Sequence, residues 1–252
     1  MNCKNCNASI SDKFCGACGQ KADVHRLTVG HLIHEFIHAI THADKGVLLL
    51  VKVLLWKPGI VAREYLEGKR KQYFNPFTFL VITTALSALA TYNSGYYKAF
   101  NATASSSNAS PRQSFIPYWD KVVHISITHG KLLGLILIAP LYTFLAWIFF
   151  WRPRYNFAEH GVLQSYTIGM FHLITVVVFV PAFLLFPDTA RMNNNILHLV
   201  YVFYMGMAYK QFLRKQYIFL PVLKSILIMF LFLVLFWFVI WVFVALRHII
   251  WT

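Results

Sequence analysis

Acidic side chains are scarce in this sequence: 9 Asp and Glu stand against 23 Lys and Arg among 252 residues, and charged residues of either sign make up 13% of the chain. With 58% hydrophobic residues, 23 Phe and a mean hydropathy of +0.56, too little polar surface remains to solvate a globule of this size. That shortage points away from a soluble domain and towards an all-α integral membrane protein. Other absences narrow the chemistry. There is no glycine-rich phosphate cradle, dinucleotide fingerprint or nucleophile elbow, so ATP-driven transport and serine hydrolysis lack support. No basic stretch is interleaved with aromatics, so nucleic acid is not an expected partner. No internal repeat stands out. The N-terminus is polar and cysteine-rich, unlike a cleavable signal peptide.

What is present is apolar sequence in blocks. A bilayer core takes about 20 mainly apolar residues per helix, and five blocks reach or approach that length: residues 76–92, 132–151, 162–186, 196–213 and 225–246. The fourth spans only if Lys210 snorkels to the interface. Between the first two lies a polar loop, 93–130, expected outside and containing the low-complexity stretch NATASSSNASPRQS. An N-terminus in the cytoplasm and a C-terminus outside put 17 of the 23 Lys and Arg on the cytoplasmic side, leaving Lys98, Arg112, Lys121, Lys131, Arg191 and Arg247 opposite. The net charge of +14 then reads as an orientation signal and an attraction for anionic lipid headgroups.

All four cysteines fall in the first 18 residues, as Cys3-x-x-Cys6 and Cys15-x-x-Cys18. Two such pairs make two knuckles around one tetrahedral zinc ion, with Asn7 and Gly19 at the turn-back positions that need left-handed backbone. A pair of disulfides is the alternative, disfavoured on a reducing side. Residues 1–25 are therefore expected to form a zinc ribbon whose ion supplies the folding energy. With every position filled by cysteine its role is structural, and a cytoplasmic protein is its expected partner.

Residues 26–74 read as amphipathic interfacial segments. Thr28 caps a helix on which His31, His34, His38 and His42 fall within an arc of about 80°, with Leu32, Ile33, Phe36, Ile37 and Ile40 opposite. A second apolar run, 47–56, is too short to cross. Lys57-Pro58-Gly59 turns the chain into a basic helix over 60–72, in which Arg63, Lys69, Arg70 and Lys71 are expected to hold anionic headgroups at about 1 kcal/mol per charge. Asn75-Pro76 opens the first membrane helix in a bundle covering 75–252.

The stretch HADKGVLLLVKVLLWKPGIVAREYLEGKRKQYFNPFTFLVI, the cysteine head before it, YNFAEH at 155–160 and YKQFLRKQYIFLPVLKS at 209–225 together resemble an uncharacterised bacterial family with a short zinc ribbon followed by several membrane helices. The matching positions are Asp44, Gly46, Pro58, Gly59, Glu64, Tyr65, Gly68, Lys69, Arg70, Pro76, Glu159 and His160. The resemblance implies a bacterial cytoplasmic membrane and brings no activity with it.

The segment His34-Glu35-Phe36-Ile37-His38 has the form of a zinc-hydrolase motif: two imidazoles one turn apart as ligands and Glu35 as base, with His42 or Asp44 as a third ligand. A non-catalytic metal or proton-sensing surface uses the same groups. The plain alternative is the wet face of an interfacial helix. Deeper in the chain, Glu159, His160 and His172 form a polar set in the third block. Glu159 is also placed to cap that helix or pair with Lys224, and His172 needs a partner such as Tyr142, Thr143 or Tyr204. The leading expectation is a non-enzymatic interaction or lipid-binding membrane module; the other is a membrane-embedded metal-dependent enzyme or transporter built on the histidine stripe. Self-association into a homo-oligomer stays open in both.

Overall fold

The computed structural model describes residues 2–22, 47–95, 139–150 and 155–251. Among them every regular element is helical, and the only strand-like features are isolated bridges, Asn2 to Ser9 and Phe14 to Lys21. The helices are α1 Val47–Leu54, α2 Pro58–Glu67, α3 Pro76–Asn93, α4 Ala139–Phe149, α5 Phe157–Ile174, α6 Val180–Leu185, α7 Ala190–Phe212 and α8 Phe219–Trp251. The turn widens to a π-helix at Thr175–Phe179 between α5 and α6, just before Pro181, whose missing N–H removes a rung of the ladder.

Local chemistry fixes most boundaries. Asn75 accepts from the Phe77 and Thr78 N–H groups and Pro76 occupies the first turn, so α3 starts where the Asn-Pro pair places it. Asn156 and Glu159 form a capping box that starts α5 at Phe157, five residues before the apolar run expected at 162. The basic helix expected over 60–72 is shorter, Pro58–Glu67. Gly68 has a φ of 115°, the Gly68 N–H donates to the Tyr65 carbonyl and the Lys69 N–H to the Glu64 carbonyl, a Schellman closure that leaves 68–74 as a loop.

Helices α3 and α4 pack on α5, α8 packs on α7 and α4, and α5 meets α7. Tyr166 donates to the Phe74 carbonyl, His160 meets Tyr209, Trp147 meets Phe157 and Lys224 donates to the Phe149 carbonyl. One end of the bundle thus gathers the starts of α3, α5 and α8 with the finishes of α4 and α7. The short helices α1 and α2 lie against that end. Leu50 and Leu54 of α1 are wholly buried, and Tyr204 donates to the Leu54 carbonyl.

Polar side chains share the bundle interior with an apolar cluster that includes Val162, Leu163, Met205 and Ile228, while bulky apolar side chains are exposed outside. On α3, Thr83, Thr84, Ser87 and Thr91 face inward while Ile82, Leu86 and Leu89 are exposed. On α7, Tyr204, Met205 and Tyr209 are buried while Leu199, Val200 and Phe203 are exposed; α8 exposes Ile226, Leu227, Phe230 and Val234. The inward hydroxyls return to their own helices, as Thr83 does to the Phe79 carbonyl and Ser165 to the Gly161 carbonyl. Two helical stretches among the described residues, Phe157–Leu185 and Phe219–Phe236, are long and apolar enough to cross a membrane.

Candidate metal centre and the basic loop beside it

The two cysteine pairs form near-identical knuckles. In the first, the Cys3 N–H donates to the Ala8 carbonyl at 2.8 Å and the Asn7 N–H to the Cys3 carbonyl at 2.9 Å. In the second, the Cys15 N–H donates to the Gln20 carbonyl and the Gly19 N–H to the Cys15 carbonyl, both at 2.8 Å. Asn7 and Gly19 take φ values of 62° and 70°, so each reversal needs a residue that tolerates left-handed backbone.

The result brings four sulfurs together. The Cys3 and Cys18 Sγ atoms are 3.6 Å apart, as are those of Cys6 and Cys15, and all four lie within 4.8 Å of one another. A tetrahedral ion with metal–sulfur bonds of about 2.3 Å sets its sulfurs about 3.8 Å apart, so the spacing suits one metal ion. Sulfurs this close resist joint ionisation. The Ala8 N–H lowers the Cys6 thiol, yet hydrogen bonds with the neighbouring thiols and desolvation push it up to about 12, while the Gln20 N–H holds Cys18 below its ordinary value. A cation at the centre removes that conflict.

The second knuckle also touches the rest of the chain. Gln20 is buried, and its Oε1 accepts from the Lys71 N–H at 3.0 Å. Lys71 lies in the 68–74 loop, which is clasped from within by Glu64. Lys69 Nζ reaches Glu64 Oε1 at 2.8 Å and the Tyr73 hydroxyl donates to Glu64 Oε2. Partial burial pushes the Glu64 carboxyl up, but the hydrogen bonds from Lys69 and Tyr73 and the charges of Lys69 and Arg63 outweigh it and hold the carboxyl below its ordinary value. Burial and the Glu64 carboxylate push the Tyr73 hydroxyl up. The Arg70 guanidinium lies 5.8 Å over the Tyr65 ring.

The Lys57-Pro58-Gly59 turn is fastened to the end of α7 by Gln211, which accepts from the Gly59 N–H at 3.1 Å and donates to the Trp56 carbonyl at 2.8 Å. Arg63 donates to the Gln211 carbonyl at 2.8 Å. Of the four cations expected to hold headgroups, Arg63, Lys69 and Arg70 are thus engaged within the protein, and Lys71 is exposed, as are Lys57, Arg214 and Lys215.

Inside the bundle, His160 is 0% exposed. Its Nδ1 is 3.0 Å from the Tyr209 hydroxyl, which also accepts from Gln164 Nε2 at 3.1 Å, and Thr167 donates to Gln164 Oε1 at 3.2 Å. His160 Nε2 has no hydrogen-bond partner. Glu159 and His160 were expected at a hydrated helix start; both are instead buried, because α5 begins earlier and lies against α7 and its last turn. Lys224 does not pair with Glu159: it donates to the Phe149 carbonyl at 2.7 Å and sits over the Phe150 ring. The partners expected for His172 act elsewhere, Tyr142 at Met229, Thr143 at the Ala139 carbonyl and Tyr204 at the Leu54 carbonyl. His172 packs edge-on to Phe171.

The histidine stripe, with Glu35, His34, His38, His42 and Asp44, lies outside the described residues, as does most of the 93–130 loop. Sequence reading missed Gln20, Tyr209 and Gln211. Their signal, an amide at the edge of a cysteine pair or within an apolar block, was weak.

No curated protein and no solved structure matches the chain. Residues 44–88 match the sequence model of a family described as a protein of unknown function (DUF3667). That stretch runs from α1 through the Gly68 closure into α3 and holds Pro58, Gly59, Glu64, Tyr65, Gly68, Lys69, Arg70 and Pro76, so over it the chain is similar to an uncharacterised family.

Proposed function

We propose that the chain is a multi-pass membrane protein that works by binding rather than by catalysis, with α3, α4, α5–α6, α7 and α8 as five crossings and a structural zinc ion in the four-thiolate head. The observation that carries this is the arrangement of the bundle: hydroxyls, amides and a histidine join the interior, and bulky apolar side chains are exposed on α3, α4, α6, α7 and α8. In water such a surface aggregates; against lipid tails it is the stable arrangement. Exposed Lys57, Lys71, Arg214 and Lys215, with Trp56, Tyr217 and Phe219 nearby in sequence, fit a cytoplasmic interface of anionic headgroups. The second knuckle faces the basic loop, which leaves the first, with exposed Lys4 and Asn7, as the face for a cytoplasmic protein partner.

Membrane extraction tests the reading. The chain should stay with membranes through high salt and alkaline carbonate and leave only with detergent, carrying one zinc ion per chain that is lost when Cys3, Cys6, Cys15 or Cys18 becomes Ser. Release by carbonate contradicts the crossings, and a metal-free chain purified under reducing conditions contradicts the zinc.

A further inference from the structure

The two knuckles share a backbone but not a side chain at one position. Ala8 and Gln20 are equivalent: each carbonyl accepts from the first cysteine of its pair, and each N–H donates to the second, Cys6 or Cys18. Only Gln20 has a side chain long enough to act elsewhere. It is 5% exposed although Gly19 and Lys21 on either side are exposed, and its Oε1 holds the Lys71 N–H at 3.0 Å. We infer that Gln20 is a latch through which occupancy of the thiolate centre sets whether the basic 68–74 loop is capped. This rests on the metal reading above.

The physical reason is economy of size. A head of about 20 residues has no core of its own and keeps its backbone only while an ion ties the cysteines together. Gln20 takes part in that backbone through both its N–H and its C=O, so when the ion leaves, the position of its side-chain oxygen is lost as well. Lys71 lies between Lys69 and Tyr73, both of which grip Glu64. Release of the latch therefore frees the Lys71 N–H, and with it the backbone that carries the exposed Lys71 ammonium, while the clasp around Glu64 stays closed. Metal occupancy is in this way transmitted to the cationic surface without unfolding the bundle.

Amide hydrogen exchange at Lys71 reads the latch in the full chain held in nanodiscs of neutral lipid under reducing conditions. Chelation of the metal should speed exchange about tenfold, the size of one partly buried hydrogen bond, with exchange in α5 unchanged. Gln20→Ala should give the same acceleration with its metal still bound, and chelation should then add nothing. Gln20→Glu, which keeps an acceptor, should restore protection. Equal exchange in wild type and Gln20→Ala, with metal bound in both, overturns the coupling alone. A chain that takes up no zinc overturns the metal reading and the coupling with it.

Discussion

Glu64 is a single carboxylate on which a loop depends. It accepts from Lys69 and Tyr73 at the close of α2, and its ionised form is the one those donors favour. Glu64→Gln should destabilise the loop by about 1–2 kcal/mol, read as faster tryptic cleavage at Lys69, Arg70 and Lys71 with the bundle intact. The pH dependence follows from the lowered carboxyl: its contribution is complete above the unfolded value of about 4.3 and is lost as pH falls through the folded value. Hydrogen exchange in the 68–74 loop of wild type, normalised to the unstructured rate at each pH, should therefore rise in acid, whereas Glu64→Gln should show a flatter profile. At this scale the sequence was uneven. The cysteines were readable because thiolate spacing is chemistry in itself, and the Glu-Tyr-x-x-Gly-Lys-Arg run was visible as a pattern. Its intramolecular use was not, since Lys69 and Arg63 look the same whether they meet a headgroup or, as here, Glu64 and the Gln211 carbonyl. Gln20 and Gln211 had no signature, because an amide declares its role only when its partner, 51 or 152 residues away, is known.

Between elements, α2 lies close against α7 at Gly59, where an added Cβ meets the Ala208 carbonyl oxygen at 2.1 Å and the Phe212 nitrogen at 2.5 Å. Gly59→Ala should push α2 off α7 and cost about 1–3 kcal/mol, measured as a lower thermal midpoint in detergent. Gly16→Ala, with nothing within 4 Å, should leave the midpoint unchanged. Asn156→Ala removes one side of the capping box and should cost about 1 kcal/mol, seen as faster exchange confined to the first turn of α5. Helix starts were legible where capping chemistry marks them: Asn75-Pro76 gave α3 its first residue. The start of α5 was obscured because its first turns carry Glu159, His160, Gln164, Ser165 and Thr167, which look like an exit from the membrane when they face α7 and the bundle interior. An apolar count follows the exposed apolar residues and does not reveal which polar residues turn inward.

For the whole molecule, the account turns on which medium surrounds the bundle. Phe230 is 62% exposed on α8. In water, Phe230→Arg would be harmless or would improve solubility. Against lipid the same change should cost about 2.5–3.5 kcal/mol of insertion, read as reduced membrane-bound chain. The same medium sets the topology, because the proposed crossings put the two ends of the bundle in different compartments. Lys215, beyond the last turn of α7, lies at the end shared with the basic loop and the cysteine head, and Asp188, between α6 and α7, lies at the other. Cysteines introduced separately at these positions and treated with a membrane-impermeant maleimide in intact cells give the most direct measurement, against the background of the native four. Asp188→Cys should label in intact cells and Lys215→Cys only after permeabilisation; equal labelling of both positions from outside would contradict the account.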